Sequence, residues 1–405
     1  MSTTFGDIVK QKTDDLSAQG KDANQIAKIV CDQDPDGHNY GIGIVLDDQG
    51  QAWPTSNTML TYLQSELDVS LAGNYMSSAA IGASLKEAVL RWQRVPETHW
   101  DRFSLLTPSD AGTGAVMTSI EMALLMYPEL KAIGVEKLSW PAYKAIARTN
   151  RIGFEEYAIG SVVDQPAVFP VYQAGPMNTT GRVQPAETMQ ERAQAAAVSG
   201  TPVLLDRAYS GFEYARVSDI HPYDQLMRMS YEAQIKPFVD ADVPFWVSLS
   251  PTKAFVTFAL RPCGMVLVYM PDTARDDEVM LLANAIMRAR GSSFEHPSTR
   301  AFAKALVHDI AGLEQEHHAV IKRLAVAERL WKRLASGTPL ADQFSEDYAG
   351  LFRNPQAREG ASTAIYDAHL HPVFTPGRCR LNVTGIPADE ETARRHVEVF
   401  AGKIY

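Results

Sequence analysis

The sequence has few cysteines, no surplus of basic residues and no long apolar run, and each shortage excludes a class of protein. Its 405 residues include three widely spaced cysteines, which form neither a disulfide framework nor a thiolate metal site and favour a reducing compartment. Lysine and arginine number 38 against 48 acidic residues, for a net charge of −10. We therefore expect no nucleic-acid-binding surface, although a few inward-facing arginines would suffice for a small anion.

Membrane insertion and secretion are not expected either. No apolar stretch approaches the ~20 residues that a membrane helix needs. The first ten residues lack the basic start and apolar run of a secretory signal. We expect a cytoplasmic protein without membrane association, and its length is sufficient for two domains.

Short apolar runs alternate with helical patterns along most of the chain. Those that we predict to be buried strands are Phe103–Thr107, Ala167–Val171, Pro202–Leu205, Phe245–Leu249 and Met265–Tyr269. Strands that alternate with helices predict an α/β fold with a mainly parallel sheet, whose ligands lie beyond the carboxyl ends of the strands. Residues 299–336 form one long helical pattern without proline, and we expect it to bridge to a smaller C-terminal domain with a strand at Cys379–Thr384.

Two of the predicted strands are followed by residues that suit a phosphorylated ring compound. The segment Ala111–Gly114 is glycine-rich and precedes a helix, where backbone N–H groups can bind phosphate, but it lacks the Gly-Lys-Ser/Thr of a P-loop. Asp206 ends an apolar strand, and a buried carboxylate needs a partner such as a protonated ring nitrogen. Taken alone, the glycine-rich segment is more often a simple turn, and a carboxylate such as that of Asp206 more often belongs to a structural ion pair.

A third strand end carries a candidate nucleophile. Lys253 stands in the segment Ser250–Lys253, and Arg261 follows eight residues later. A lysine in such a place can form a Schiff base if its surroundings lower its pKa, and Ser250 and Arg261 are donors suited to a phosphate monoester. A lone lysine is usually solvated, so the order of the three segments carries more weight than any one of them.

In that order the segments resemble the aspartate and aromatic amino acid aminotransferases, which are class I aminotransferases with the type I pyridoxal-phosphate fold. The resemblance runs from about Tyr40 to the C-terminus. It implies a large domain with a mainly parallel seven-stranded sheet flanked by helices, and a smaller α+β domain. The implied boundaries are 1–45 for an N-terminal arm with part of the small domain, 46–305 for the large cofactor-binding domain, and 306–405 for the small domain with its long linking helix.

The resemblance implies pyridoxal 5'-phosphate as cofactor and assigns roles around it. Lys253 matches the lysine that binds the cofactor covalently, Asp206 the partner of the ring nitrogen and Tyr209 the donor to the ring hydroxyl, and these three are the expected catalytic residues. The matching cofactor-binding positions are Gly112 and Thr113 in the phosphate loop, Trp140 against the ring, Asn178, Asp206, Tyr209, Ser250, Lys253, Arg261, and Tyr75, which reaches the phosphate of the partner subunit.

Substrate positions follow from the same resemblance. Arg380 matches the arginine that holds the substrate α-carboxylate, and Gly43, Trp140 and Asn178 match positions that line the substrate. Arg288, with Arg290 as a rival by register, lies near the arginine that the partner subunit offers to a distal carboxylate. A homodimer with shared sites is implied. The implied reaction moves an amino group between aspartate, glutamate or an aromatic amino acid and a 2-oxo acid such as 2-oxoglutarate.

Two departures from the family pattern leave alternatives open. Thr179 follows Asn178 where the family usually has proline, and Tyr143 stands where it often has a histidine bonded to the aspartate. A lyase or decarboxylase that uses the same cofactor, or a non-catalytic relative, is the alternative to transamination. No metal is expected, since His369 and His371 have no obvious third ligand in the sequence.

Overall fold

The fold is built on a seven-stranded sheet with helices on both faces, and the computed structural model describes residues 3–67, 82–108, 110–291 and 296–404. The strands are β1 (His38–Asn39), β2 (Phe103–Leu106), β3 (Ala132–Glu136), β4 (Gly153–Tyr157), β5 (Val168–Gln173), β6 (Val203–Arg207), β7 (Phe245–Leu249), β8 (Met265–Tyr269), β9 (Phe352–Arg353), β10 (Leu370–His371), β11 (Val373–Thr375) and β12 (Arg378–Asn382). The helices are α1 (Phe5–Ala18), α2 (Ala23–Asp32), α3 (Asn57–Glu66), α4 (Gly82–Trp92), α5 (Ala111–Met126), α6 (Ala142–Thr149), α7 (Ala186–Ser199), α8 (Tyr223–Gln234), α9 (Lys236–Asp240), α10 (Pro251–Ala254), α11 (Asp276–Gly291), α12 (Pro297–His308), α13 (Ile310–Leu334), α14 (Ala361–Asp367) and α15 (Glu390–Ala401).

The large sheet has the strand order β2-β8-β7-β6-β5-β3-β4. Strand β8 runs antiparallel to both of its neighbours, and the other pairs are parallel. The prediction of a mainly parallel sheet is confirmed, and the bounds of β7 and β8 match the predicted ones. Since β5, β6 and β7 are parallel neighbours, their carboxyl ends meet at one edge of the sheet.

Both faces of this sheet are buried, which explains why its strands are apolar throughout rather than alternating. In β6, Val203 and Leu205 pack into one core while Leu204 faces the other. Helices α5, α6 and α11 contribute to the core on the second face, and α4, α7 and α8 to the core on the first, which α12 and α13 also join. The strand ends are thereby held in a rigid frame.

The prediction of one unbroken helix over 299–336 is wrong. Helix α12 ends at His308 and α13 begins at Ile310, with Asp309 between them in a non-helical conformation (φ −142°, ψ 47°). The Asp309 carboxylate accepts a hydrogen bond of 3.1 Å from the Gly312 N–H and so caps α13. In the sequence, the aspartate at position 309 indicates the start of a new helix, but the continuous helical periodicity outweighed that signal.

The N-terminal and C-terminal segments build a smaller region together. Strand β1 pairs in parallel with β10, and β12 lies between β11 and β9 in a three-stranded antiparallel sheet. All three cysteines are buried thiols. Within the described ranges no helix is both long and apolar enough to cross a membrane.

Candidate active site

A cavity of about 230 Å³ opens at the carboxyl ends of β5, β6 and β7. Nine of the residues proposed from the sequence line it: Gly112, Thr113, Trp140, Asn178, Asp206, Tyr209, Ser250, Lys253 and Arg261. Gln173, at the end of β5 and in register with Asp206, also lines it and was not predicted. The strand-end rule that singled out Asp206 would have found it. Tyr75, by contrast, lies outside the described residues.

Lys253 projects into the cavity from α10, the short helix that follows β7. Its Nζ donates a hydrogen bond to the main-chain carbonyl of Gly43, which brings the N-terminal segment over the site. Burial, together with the positive charge of Arg380, lowers the pKa of Lys253 from 10.5 to about 8. A neutral amine is therefore accessible near neutral pH, as a nucleophile or a base requires.

Asp206 lies near the end of β6, facing the cavity. Burial raises its pKa to about 6, whereas hydrogen bonds from Tyr143 and from the Ala208 N–H act in the opposite direction. The Tyr143 hydroxyl, which is fully buried, donates to Oδ2 at 2.5 Å, and its ring meets Trp140 edge-on. Tyr143 thus contacts the carboxylate in the way that the resemblance expects of a histidine.

Asn178 and Tyr209 form a pair on the adjacent wall. The Asn178 amide donates to the Tyr209 hydroxyl at 2.7 Å, and its own N–H donates to the Gln173 side chain at 2.7 Å. The Asn178–Thr179 peptide bond is trans, and the Thr179 hydroxyl donates to the Leu138 carbonyl. The loop is fixed by this contact without the proline of the family motif.

The opposite end of the cavity suits an anion. Helix α5 begins at Ala111, so its first N–H groups have no acceptor in the helix and point toward the cavity end. A side chain at Gly112 would place its Cβ 2.7 Å from the Cβ of Ser250, so only glycine fits there. The Ser250 and Thr252 hydroxyls lie 2.7 Å apart, and Arg261 borders the same end. Thr252 is a second residue that the sequence analysis missed.

Arg380, on β12, is 8% exposed and lies outside the cavity lining but close to it. Its Nη2 donates to Asn24 Oδ1 at 2.5 Å and to the Gly41 carbonyl at 3.3 Å, and its guanidinium stacks on Phe352 at 4.3 Å. Its buried Nε has no acceptor among the described residues. No sequence signal indicated a role for Asn24, since it stands 356 positions from Arg380.

The two arginines of α11 differ in their surroundings. Arg290 pairs with Glu121 at 2.5 Å and donates to the Thr118 hydroxyl at 2.6 Å. Arg288 is exposed in the last turn, and no ion pair engages it within the described part of the chain. The structure therefore leaves Arg288, not Arg290, available to an external carboxylate.

The expectation that His369 and His371 lack a third ligand is wrong. Both histidines lie against Asp34, with hydrogen bonds of 2.9 and 2.7 Å, and the ligand atoms of Asp34, Asp36 and His369 lie within 4.8 Å of one another. Asp34 is separated from His369 by 335 positions and from His371 by 337, so no local sequence pattern indicates these contacts. The absence of a metal stays a prediction.

The cavity fits pyridoxal 5'-phosphate by the chemistry of its donors. A lysine amine and a carboxylate line the same cavity, together with an aromatic ring and a hydroxyl–amide pair, and helix-terminal N–H groups and the Ser250 and Thr252 hydroxyls lie at the phosphate end. Lys253 would hold the aldehyde carbon, Asp206 the ring nitrogen, and Gly112, Thr113, Ser250 and Arg261 the phosphate.

Comparison with known proteins agrees with this geometry. A family model described as aminotransferase class I and II matches residues 39–345, whereas no curated protein sequence matches significantly. An aromatic amino acid aminotransferase from Burkholderia cenocepacia superposes with a TM-score of 0.78 at 16% identity, over 94% of this chain and 97% of that one.

Two further solved structures show the same fold. An aromatic-amino-acid aminotransferase from Burkholderia pseudomallei, covalently bound to pyridoxal phosphate, has a TM-score of 0.75 at 17% identity over 94% of this chain and 96% of that one. Cytoplasmic aspartate aminotransferase of Saccharomyces cerevisiae has a TM-score of 0.72 at 18% identity, covering 94% and 97%. Because the family match spans most of the sequence, this protein belongs to the aminotransferase class I and II family and is a pyridoxal-phosphate-dependent transaminase.

Proposed function

We propose that Lys253 is both the covalent attachment point of the cofactor and the residue that moves the substrate proton. The observation that carries the proposal is the position of Lys253 in one cavity with Asp206 and Tyr209, near enough to Arg380 for that charge to lower its pKa. The pyridoxal ring, when bound, withdraws electrons from the Cα of the amino acid.

The remaining side chains orient the reacting groups. The Asp206 carboxylate, fixed by the bond from Tyr143, keeps a proton on the ring nitrogen. Asn178 and Tyr209, already paired at 2.7 Å, would hold the ring hydroxyl, and Trp140, which lines the cavity, would contact the ring. Once it is free, the Lys253 amine would take the proton from Cα and return it at the aldehyde carbon of the cofactor. A pKa near the working pH suits a group that both accepts and donates this proton.

Substrates are proposed to be amino acids and 2-oxo acids held by Arg380 through the α-carboxylate. Its buried Nε is a donor without an acceptor in the described residues. Gly43 borders the amine directly, since a Cβ added there would contact the Lys253 Nζ at 3.8 Å. Glutamate and 2-oxoglutarate are the proposed couple, with aspartate or an aromatic amino acid as the other substrate.

We assign the distal carboxylate to Arg288 of a second copy, in a homodimer with shared sites. Arg288→Gln should raise KM for glutamate at least tenfold and leave KM for phenylalanine unchanged, because only glutamate carries a distal charge. Arg290→Gln is the matched control, since that arginine is engaged by Glu121 within its own chain. Sedimentation should give a dimer, and equal effects of the two variants on both substrates would refute the assignment. We also propose a cytoplasmic location, with which the buried cysteine thiols agree.

The central test is an absorption spectrum of the purified protein before and after L-glutamate. Conversion of the cofactor band from its aldehyde form to its amine form, with release of 2-oxoglutarate, is the expected result. A cofactor band that glutamate, aspartate and phenylalanine all leave unconverted would favour the lyase or decarboxylase. Lys253→Ala should bind the cofactor without a covalent link, and a wild-type spectrum from this variant would refute the role of Lys253.

A further inference from the structure

We propose that a crevice beside the active-site cavity binds a small oxyanion, a carboxylate or a phosphate, through Arg182 and Arg378. The crevice has a volume of about 170 Å³ and shares no lining residue with the active-site cavity. Arg182 comes from the loop after β5 and Arg378 from β12, so the two cations reach the crevice from the large sheet and from the small one. We call it the arginine crevice.

Only one of the two positive charges has an acidic partner among the described residues, and that ion pair is long and exposed. Arg378 donates to the main-chain carbonyl of Asn354 at 2.7 Å and forms no ion pair with any described carboxylate. Arg182 has one acidic neighbour, Asp347, at 3.6 Å, and 64% of that aspartate side chain is exposed to solvent, which weakens the attraction. Two cations that line one narrow crevice favour an anion between them.

A buried amide adds a third polar group. Asn354 lines the crevice and is 6% exposed, and its side-chain oxygen has no partner among the described residues. Oxygen and nitrogen of an amide can exchange places by rotation, so Asn354 is able to present an N–H to an anion. A group buried without a partner is costly, and a ligand that bonds to it relieves that cost.

The wall of the crevice formed by residues 343–350 is rigid. Arg353 donates to the carbonyls of Gln343 at 2.6 Å and Ala349 at 2.9 Å, and Arg216 donates to that of Tyr348 at 2.6 Å. Both arginines also pair with the buried Glu328. These arginines are occupied by the loop and the glutamate, so Arg182 and Arg378 are the cations left for a ligand.

The arginine crevice and the active site share backbone segments. Leu138, Thr180 and Arg378 line the crevice, and each stands two positions from a residue of the proposed active site: Trp140, Asn178 and Arg380. Arg378 and Arg380 lie on the same face of β12, because side chains alternate along a strand. An oxyanion in the crevice would bridge the two sheets next to the substrate site without occupying it.

The test is calorimetric titration of inorganic phosphate into the holoenzyme, in a buffer free of other oxyanions. The bound cofactor keeps the phosphate end of the active site filled, so saturable binding with a stoichiometry of one per chain is the expected result. Arg378→Gln and Arg182→Gln should each weaken binding at least tenfold. Arg395→Gln is the control, since that side chain is 63% exposed on α15 and leaves the charge of the crevice unchanged.

Two further measurements make the proposal refutable. Phosphate should raise the melting temperature of the wild-type holoenzyme but not that of Arg378→Gln. The melting transition of the variant also shows that it is folded. Succinate, titrated into the Arg380→Gln holoenzyme so that the substrate site does not retain it, separates the sources: weakening of both ligands by Arg378→Gln indicates a general oxyanion site, and weakening of phosphate alone indicates a phosphate site. Absence of saturable binding, or binding that Arg380→Gln abolishes and Arg378→Gln leaves intact, would overturn the proposal.

Discussion

The hydrogen bond from Tyr143 to Asp206 should set the pH range in which the protein binds its cofactor. The phenol donates to a buried carboxylate at 2.5 Å, and the pKa of that carboxyl is about 6 because burial raises it while the hydrogen bond opposes the rise. A hydrogen bond to a charged group is worth about 1.5–3 kcal/mol, and 1.36 kcal/mol corresponds to one pKa unit. Tyr143→Phe should therefore raise the pKa of Asp206 by about one to two units.

The consequence for binding can be worked out. A protonated ring nitrogen pairs with the ionised form of Asp206, so cofactor affinity follows the ionised fraction. At pH 6.5 a carboxyl with a pKa of ~6 is ~76% ionised, and one with a pKa of ~7.5 is ~9% ionised. Tyr143→Phe should bind the cofactor about eightfold more weakly at that pH, with little difference at pH 8.5. The pH at which affinity declines should move upward by the same one to two units.

The assay is titration of the apoprotein with pyridoxal 5'-phosphate between pH 5.5 and 8.5, followed by tyrosine and tryptophan fluorescence. Tyr157→Phe is the matched control, because it removes a hydroxyl that donates to Glu155 at 2.6 Å on β4, away from the cavity. Tyr143→His should restore a donor to Asp206 and return the decline toward the wild-type pH. A Tyr143→Phe profile that superposes on that of the wild type would refute the reasoning.

Three other variants test single features of the site. Lys253→Met should raise the melting temperature of the apoprotein at pH 7, where the folded protein has to hold this lysine in its charged form. Between pH 8 and 10.5 the unfolded chain holds more protons at Lys253 than the folded chain does, so the stability of the wild type rises with pH in that range. Thermal melts of the variant should lack this rise. Arg380→Lys keeps the charge but not the planar fork, so kcat/KM for glutamate and for phenylalanine should both fall roughly 30-fold or more, and an effect on one substrate alone would contradict its assignment to the α-carboxylate. Gly112→Ala should weaken cofactor binding and cost about 1–3 kcal/mol in a denaturant melt, because its Cβ would lie 2.7 Å from that of Ser250; unchanged stability would show that the loop can shift.

The sheet could be predicted from the sequence because its strands are buried on both faces. Such strands are short runs of β-branched and aromatic residues, and β7 and β8 were bounded to the residue on that basis. Asp206 and the segment Ser250–Lys253 could be singled out for the same reason, since polar residues directly after an apolar run lie at a strand end. The break in the helix at Asp309 was not predicted, because one capping residue leaves the helical periodicity intact on both sides of it.

Contacts between distant parts of the chain could not be predicted in this way. The carbonyl of Gly43 meets Lys253 across 210 positions, and Asn24 meets Arg380 across 356. These contacts depend on the pairing of β1 with β10, two strands of two residues each, which are too short to give a pattern. The N-terminal segment is therefore the part of the site on which sequence reasoning alone has least to say.

That segment also limits what substrate binding can do. Arg380 gives its Nη2 hydrogens to Asn24 and Gly41, while its Nε is buried without an acceptor in the described chain. A carboxylate that binds bidentately needs two donors on one edge of the guanidinium, so it must either take Nε together with Nη2 or displace Asn24. In the first case Nη2 turns from the Gly41 carbonyl or from Asn24 toward the substrate, and in the second case the contact between Arg380 and α2 breaks. Gly43 lies two residues after Gly41 and accepts a hydrogen bond from the Lys253 amine, so a change at the Gly41 carbonyl acts on the backbone segment that contacts Lys253. We therefore expect binding of the α-carboxylate at Arg380 to weaken the hydrogen bond between Lys253 and the Gly43 carbonyl, through the three residues of backbone from Gly41 to Gly43.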